Sequence, residues 1–332
     1  MATGLLTGDE ASALDAAAQT LQRGGLLAFP TETVYGLGAR ADDDAAVARI
    51  FATKGRPANH PLIVHVVDAA AAEHFSADIP RSARQLMASF WPGPLTVILP
   101  RRSGIAQAAA GGQNSIGLRC PAHPLAQALL RHAAALGVHG VAAPSANRFG
   151  RISPTRAQHV RDEFGAAVPV LDGGPCEVGI ESTIVDCTAE PPSLLRPGGV
   201  ARAHIEAVLG QPLAEPGVHS PRASGTLASH YAPGAQLQLL DAPALHAALQ
   251  ALQAACPAAL AAVAVYSRQA DIPSGLAAHR RMPDDAAAAA HDLFAVLREL
   301  DASGATRIWV ESPPADPAWD GVNDRLRRAA AA

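Results

Sequence analysis

Hydrophobic and polar positions along residues 25 to 200 follow two periods in alternation. Short apolar runs, "GGLLAFP", "PLIVHVV", "PLTVILP" and "SIGLRC", have the length and the Gly or Pro borders of strands. Between them, apolar residues recur every three or four positions in "DDDAAVARIFATKG", "PRSARQLMASFW" and "PLAQALLRHAAALG", which predicts helices. The first of these is entered through acids and stopped by Gly55. Further on, "GVAAPSAN" reads as a strand running into a loop, and "VPVLDGG" and "ESTIVDC" as two more strands. "SPTRAQHVRDEFG" reads as a helix with Ser153 as N-cap and Pro154 at its first position. Interleaving of this kind predicts an α/β domain with a twisted, mixed sheet.

Periodicity lapses from Gln211 to Ala235. That stretch, "QPLAEPGVHSPRASGTLASHYAPGA", is dense in Pro, Gly and Ser, and its 25 residues exceed an ordinary connection, so it reads as a spacer or a functional loop. The alternation then restarts with strand "LQLL", helix "ALHAALQALQAA", strand "AAVAVYS", a long helix through "AAAAAHDLFAVLREL", strand "RIWVES" and helix "GVNDRLRRAAAA". The expected organisation is a larger domain over 1–210, a linker or lid over 211–235 and a smaller βα-repeat domain over 236–332.

One motif invites a different reading. Residues 36–41, "GLGARA", spell G-x-G-x-x-A between an apolar run and a helical pattern, as in a dinucleotide-binding turn. That device needs an acid about 20 positions on for the ribose. Here the corresponding region reads "KGRPANHPL", and Thr31, Glu32, Thr33 and Tyr35 interrupt the strand ahead of the glycines. The chain also has no G-x-x-x-x-G-K-[ST], G-x-S-x-G or H-E-x-x-H motif, which removes a Walker A loop, a nucleophile elbow and a zincin helix.

Composition narrows the field further. Lys and Arg total 26 against 30 Asp and Glu, so there is no global basic field for gripping long nucleic acid, and 4% aromatic residues make a poor stacking platform for single strands. An anionic ligand must meet a local cluster instead. Cys120, Cys176, Cys187 and Cys256 are widely spaced with no C-x-x-C pair, which suits free thiols in a reducing cytoplasm. The acidic N-terminal stretch "MATGLLTGDEASALDAAAQ" does not read as a signal peptide, and no apolar run approaches the roughly 18 residues of a membrane span.

Five local clusters could carry chemistry. Lys54 and Arg56 flank Gly55 at a helix end, a pairing suited to phosphate or carboxylate oxygens and equally to capping the helix dipole. Ser145 and Asn147 in "PSAN" follow an apolar run, where α/β folds place ligands or ordinary Asx turns. Arg119 ends the strand "SIGLR", Ser182 opens "STIVD", and Arg196 precedes a proline turn in "LLRPGG". His65, inside "LIVHVV", reads as a core histidine or a site residue.

Taken together, "PTETVYGLGA", "KGRPANHPLIVH", "SIGLRCP", "APSAN", "GIESTIVD" and "LLRPGG", in this order, closely resemble the Sua5/YrdC/YciO family of threonylcarbamoyl-AMP synthases. The second domain and "SHYAPGA" resemble the longer Sua5 branch, and the likeness covers roughly residues 15–328. The resemblance implies an α/β fold, a YrdC-like twisted mixed sheet with helices plus a smaller Rossmann-like C-terminal domain. It also implies a reaction in which L-threonine, bicarbonate and ATP give threonylcarbamoyl-AMP and pyrophosphate. A downstream tRNA threonylcarbamoyl-transferase complex would consume the product to modify adenosine 37 of tRNA, making any tRNA contact of this chain at most indirect.

By the same resemblance, Thr33, His65, Arg119 and Ser182 surround threonine, and Arg56, His60, Ser115, Ser145, Asn147, Arg196 and Tyr231 contact ATP. Lys54, Arg56 and His65 are the catalytic candidates, Lys54 with Asn147 in a phosphate cradle, and Mg2+ would come with ATP, with no protein side chain as metal ligand. The expected location is the cytoplasm, away from membranes. Two positions depart from the family pattern: His60 stands where many relatives have Asn, and "SGTLASHYAP" lacks the basic residues of a "GMKYRHYAP" linker while keeping His230 and Tyr231. Two other classes are an RNA-binding or ribosome-assembly module without ATP turnover, and a carbamoyl-transfer domain as in hydrogenase-maturation proteins. The latter carry zinc-binding segments for which this chain has no cysteine spacing.

Overall fold

The computed structural model describes residues 5–7, 11–218, 220–268 and 272–331, so part of the acidic N-terminal stretch lies outside the described residues. The chain divides into two compact units, residues 1–149 with 153–226, and residues 150–152 with 227–332. The expected linker over 211–235 is thereby shared, its first part packing with the first unit and its last nine residues belonging to the second.

The first unit contains strands β1 (Leu5–Thr7), β2 (Leu27–Phe29), β3 (Gly36–Arg40), β4 (Ile63–His65) and β5 (Leu95–Pro100). It continues with β6 (Ser115–Arg119), β7 (Val141–Ala142), β8 (Val170–Asp172), β9 (Thr183–Asp186) and β10 (Ser193–Arg196). They form one ten-stranded sheet in the order β1-β8-β2-β3-β7-β4-β6-β5-β9-β10. Parallel pairs such as β4/β6 and β5/β9 mix with antiparallel pairs such as β5/β6 and β9/β10, as the interleaved pattern implied. Its helices are α1 (Ala11–Gln22), α2 (Asp44–Lys54), α3 (Ala69–Phe75), α4 (Arg81–Phe90), α5 (Pro124–Ala135), α6 (Ala157–Phe164) and α7 (Arg202–Leu209).

Local chemistry accounts for most of these boundaries. The Asp43 carboxylate caps α2 by accepting from the Ala45 and Ala46 amides, and Gly55 ends the helix in the left-handed conformation. The helix expected from Ser153 instead starts at Ala157, behind Arg156. Ser153 cannot cap it, because its hydroxyl donates to the Glu181 carboxylate at 2.5 Å and the Pro154 carbonyl pairs with the Tyr35 amide. The G-x-G-x-x-A glycines form no turn at all: Gly36 and Gly38 lie inside β3, and a Cβ on Gly38 would stand 2.8 Å from both Phe29 and Val141.

Alternation along the strands separates two functions. Val64, Leu95, Val97, Leu99, Ile116, Leu118 and Val185 face one large hydrophobic core together with α2 and α4 residues. On the opposite face the register sets His65 beside Arg119, Ile63 beside Gly117, Gly117 beside Ile98, and Thr96 and Arg196 each beside Ile184. Paired positions share a face, so one side of β4, β6, β5, β9 and β10 collects the polar residues that sequence reasoning singled out.

The second unit holds β11 (Gln236–Leu240), β12 (Val263–Ser267), β13 (Ala278–Arg281) and β14 (Arg307–Glu311), all parallel in the order β11-β14-β12-β13. Helices α8 (Ala242–Ala255), α9 (Ala286–Asp301) and α10 (Asp320–Ala330) complete this small α/β unit. No helix among the described residues is long and apolar enough to cross a membrane.

Gly198, in "LLRPGG", tests how tightly the loop after β10 is fitted. A Cβ there would stand 2.4 Å from the Glu181 carbonyl oxygen and 2.6 Å from the Thr183 nitrogen, both backbone atoms that cannot swing away. Gly198→Ala is expected to lower unfolding free energy by about 3 kcal/mol, measured by urea titration; a variant within about 0.5 kcal/mol of the parent would show that this loop stands clear of the β9 backbone.

Candidate active site

Arg119 ends β6 buried, and each arm of its guanidinium is engaged. Nη1 donates to Thr33 Oγ1 at 2.9 Å, Nε to the Gly93 carbonyl at 3.2 Å, and Nη2 lies 2.6 Å from Glu32 Oε1. Glu32 in turn accepts the Ala122 amide at 3.0 Å through its other oxygen. The "TET" loop is held in shape by Thr31, whose hydroxyl lies 2.9 Å from that of Thr33 and donates to the Val34 carbonyl at 2.6 Å. Thr33 and Arg119, 86 positions apart in the chain, thus touch, and Glu32, which the sequence reading passed over, connects them. An acid between two threonines ahead of a strand was the available signal.

His65 sits beside Arg119 across β4 and β6, with the Phe29 ring edge-on at 5.9 Å. Burial, reinforced by the Arg119 charge, pushes its pKa down to about 3. At neutral pH it is an uncharged imidazole and a weak proton acceptor.

Ser182 precedes β9, and its hydroxyl lies 2.8 Å from Thr96 Oγ1. Arg196, at the end of β10, donates twice to the Ser182 carbonyl, at 3.1 and 2.8 Å, and once to its hydroxyl at 3.2 Å. Its remaining arm reaches the Ser224 carbonyl at 2.8 Å. Arg56 meets the same serine from the other side, donating to Ser224 Oγ at 3.4 Å and to the Pro61 carbonyl at 2.9 Å, while stacking over Phe149 at 5.6 Å. Two guanidinium groups from distant motifs therefore converge on one residue.

Lys54 behaves differently from a free cation. Its buried ammonium donates to the Ser145 carbonyl at 2.6 Å and to the Asn147 carbonyl, which ties the end of α2 to the "PSAN" loop. Burial and the neighbouring Arg56 hold its pKa well below the usual lysine range. The Asn147 side chain donates to the Arg148 carbonyl at 2.7 Å. His60 stacks edge-on against Phe149 at 5.5 Å, and burial followed by Arg56 and Arg222 lowers its pKa.

A small pocket opens on the same sheet face, with Thr96, Ser115, Gly117 and Ile184 beneath and Arg222 and Ser224 among the residues around it. Gly117 leaves the floor bare at mid-strand, its absent Cβ facing Thr96 at 3.5 Å. Tyr231 is a residue of the second unit, where its ring packs against Phe294 at 5.4 Å and under the Arg325 guanidinium at 5.5 Å, with a left-handed backbone of φ 64°. The four cysteines are free, three of them buried.

A family model described as telomere recombination matches residues 19–198, and one described as threonylcarbamoyl-AMP synthase, C-terminal domain, matches residues 200–331. The chain belongs to the Sua5/YrdC/YciO family. It is 43% identical over 233 residues to the threonylcarbamoyl-AMP synthase of Pyrococcus abyssi, covering 68% of this chain and 67% of that one. With the Bacillus subtilis protein of the same name it shares 42% over 231 residues, covering 68% and 66% of the two chains. Among solved structures it superposes on P. abyssi Sua5 complexed with L-threonine with a TM-score of 0.87 at 35% identity, covering 97% of this chain and 95% of that one. A P. abyssi Sua5 variant with a His and a Tyr changed to Ala gives a TM-score of 0.89 at 32% identity, covering 98% and 96%. These matches place the whole described chain, second unit included, in the long branch of the family.

The depressed pKa of His65 has a consequence for stability. Between about 3 and the ordinary value of 6.5 the unfolded chain binds the proton more readily than the folded one, so stability present above pH 6.5 falls as the pH is lowered through this window. His65→Gln is expected to flatten that part of the slope when urea midpoints are compared from pH 7 to 4. Parallel pH profiles for parent and variant would contradict the buried, neutral assignment.

Proposed function

We infer that this chain is an L-threonylcarbamoyladenylate synthase, taking L-threonine, bicarbonate and ATP and releasing pyrophosphate. The observation that carries the reading is the convergence of His65, Arg119 and Ser182 on one sheet face, with Thr33 on Arg119 and the Arg56 and Arg196 pair on Ser224, beside a small pocket. Its relatives bear the name of this activity, and one superposed neighbour is a complex with L-threonine.

The chemistry asks for charge control more than for acid and base. The threonine amine adds to the carbon of bicarbonate-derived CO2 and loses a proton, giving a carbamate. A carbamate oxygen then attacks the α-phosphorus, and the bond from that phosphorus to the α,β-bridging oxygen breaks, releasing pyrophosphate with its β,γ-bridge intact. Nucleophile and electrophile are both anionic, so fixed donors that hold them together lower the barrier. In this assignment Arg119, Thr33 and Ser182 orient threonine, Arg56 and Arg196 meet the nucleotide's phosphates, and Ser115 lines the cavity for the rest of the nucleotide. Lys54 acts through its carbonyl partners, holding Ser145 and Asn147 where a nucleotide would pass. His65 is assigned a neutral hydrogen-bonding role beside threonine and no general-base step.

Mg2+ would arrive on the triphosphate. Among the described residues no group of three His, Cys, Asp or Glu side chains is arranged for a metal, and Glu32 and Glu181 are engaged with Arg119 and Ser153. The wider assignment follows the family: residues 1–210 as the catalytic domain, 211–235 as a lid that shields a hydrolysable acyl adenylate, and 236–332 as the C-terminal domain. The product would pass in the cytoplasm to a tRNA threonylcarbamoyl-transferase complex.

The deciding assay is pyrophosphate release from ATP and bicarbonate with each amino acid omitted or exchanged in turn; threonine dependence is expected, and release indifferent to threonine would refute the reading. Arg56→Ala should reduce threonine-dependent release at least about a hundredfold while the fold persists, since it removes phosphate contacts. Arg119→Ala alone would strand the buried Glu32 carboxylate at a cost of about 3 to 5 kcal/mol. The double change Arg119→Ala with Glu32→Gln should recover stability without recovering activity. Activity that returns with the fold would remove Arg119 from the threonine site.

A further inference from the structure

Sequence comparison within the family left this linker short of basic residues, yet the structure brings one to the cavity from upstream. Residues 222–224 fold back onto the first unit. The Arg222 amide donates to Gln113 Oε1 at 2.8 Å, and the Arg222 carbonyl accepts from Gln113 Nε2 at 3.1 Å, a two-point clasp on the backbone. Ser224, two residues on, takes the bonds from Arg56 and Arg196 described above. The clasp and those bonds hold the segment at both ends and leave the Arg222 side chain at the cavity wall. Of its five guanidinium N–H donors, one nitrogen has a partner, Nη2 to the Gly111 carbonyl at 3.2 Å.

We propose that Arg222 is a phosphate-binding residue of the nucleoside triphosphate site, carried on the segment that closes over the cavity. The proposal rests on the synthase reading above and adds a residue outside both the Lys54/Arg56 and the Ser145/Asn147 pairs. Its geometry suits the role: Arg222 lines the pocket two residues from Ser224, on which Arg56 and Arg196 converge. A guanidinium that is exposed, weakly engaged and set on a fixed backbone is available to a triphosphate at little reorganisation cost. Buried Arg119, by contrast, is neutralised by Glu32.

Calorimetric titration of the full chain with ATP and, separately, with adenosine tests this without requiring turnover. Arg222→Ala is expected to weaken ATP binding about tenfold and leave adenosine binding unchanged, with Arg222→Lys in between because it keeps the charge and loses the fork. ATP affinity within threefold of the unaltered chain overturns the proposal. So does an equal loss for ATP and adenosine, which would mean that Arg222 shapes the cavity rather than meets phosphate. An unaltered chain that binds ATP but releases no pyrophosphate with threonine would sink the synthase reading and leave the affinity ratio to decide Arg222 on its own.

Discussion

Two-residue alternation along five adjoining strands is the constraint on which the rest of this molecule depends. In β4, β6, β5, β9 and β10, one set of side chains fills the larger hydrophobic core and the intervening set forms the polar face. A slip of one residue in any of these pairings would send Arg119 or Thr96 into the core and Leu118 or Val97 into the cavity. Burial of the apolar set therefore fixes the register of the polar set. The same packing that stabilises the unit aligns arginine, histidine and hydroxyl groups contributed by segments more than a hundred residues apart.

Charge on this face is distributed less evenly than a count of basic residues suggests. Arg119 is matched by Glu32 and locked by three partners, so its value lies in fixed direction more than in net charge. Lys54 is turned toward two backbone carbonyls and held with a depressed pKa. Arg56 and Arg196 both bond to Ser224, and Arg222 lines the same pocket two residues away. Donors that are already oriented and desolvated need little reorganisation when an anion arrives, which is the usual source of electrostatic advantage in such sites.

Much of this was legible in the chain. Short apolar runs marked seven of the ten strands of the sheet, with β1, β3 and β10 missed, and the acids before α2 with Gly55 after it marked that helix at both ends, because caps and periodicity are local properties. Arg119, Ser182 and Arg196 could be picked out as polar groups at strand ends. What stayed hidden was set by distant partners. Ser153 has the chemistry of a cap, but a carboxylate 28 residues away takes its hydroxyl. Gly36 and Gly38 resemble a phosphate turn, and their size is explained by the Phe29, Val141 and Ala143 side chains packed against them. Glu32 and Lys54 show the same limit, since the Arg119 guanidinium and the "PSAN" carbonyls that engage them are neighbours only in the folded chain.

The second unit reaches back into the middle of the sequence. Gly150 to Ile152 belong to it: the Gly150 carbonyl accepts the Ala232 amide at 2.8 Å, Arg151 pairs with Asp301 at 3.2 Å, and Ile152 accepts from Arg298. Neither unit is thus a continuous piece of polypeptide. A gene cut anywhere in the linker would deliver a C-terminal fragment missing a stitch of its own fabric, and an N-terminal fragment carrying a loop with no home. The two family-model spans, 19–198 and 200–331, therefore do not coincide with the two units of the folded chain.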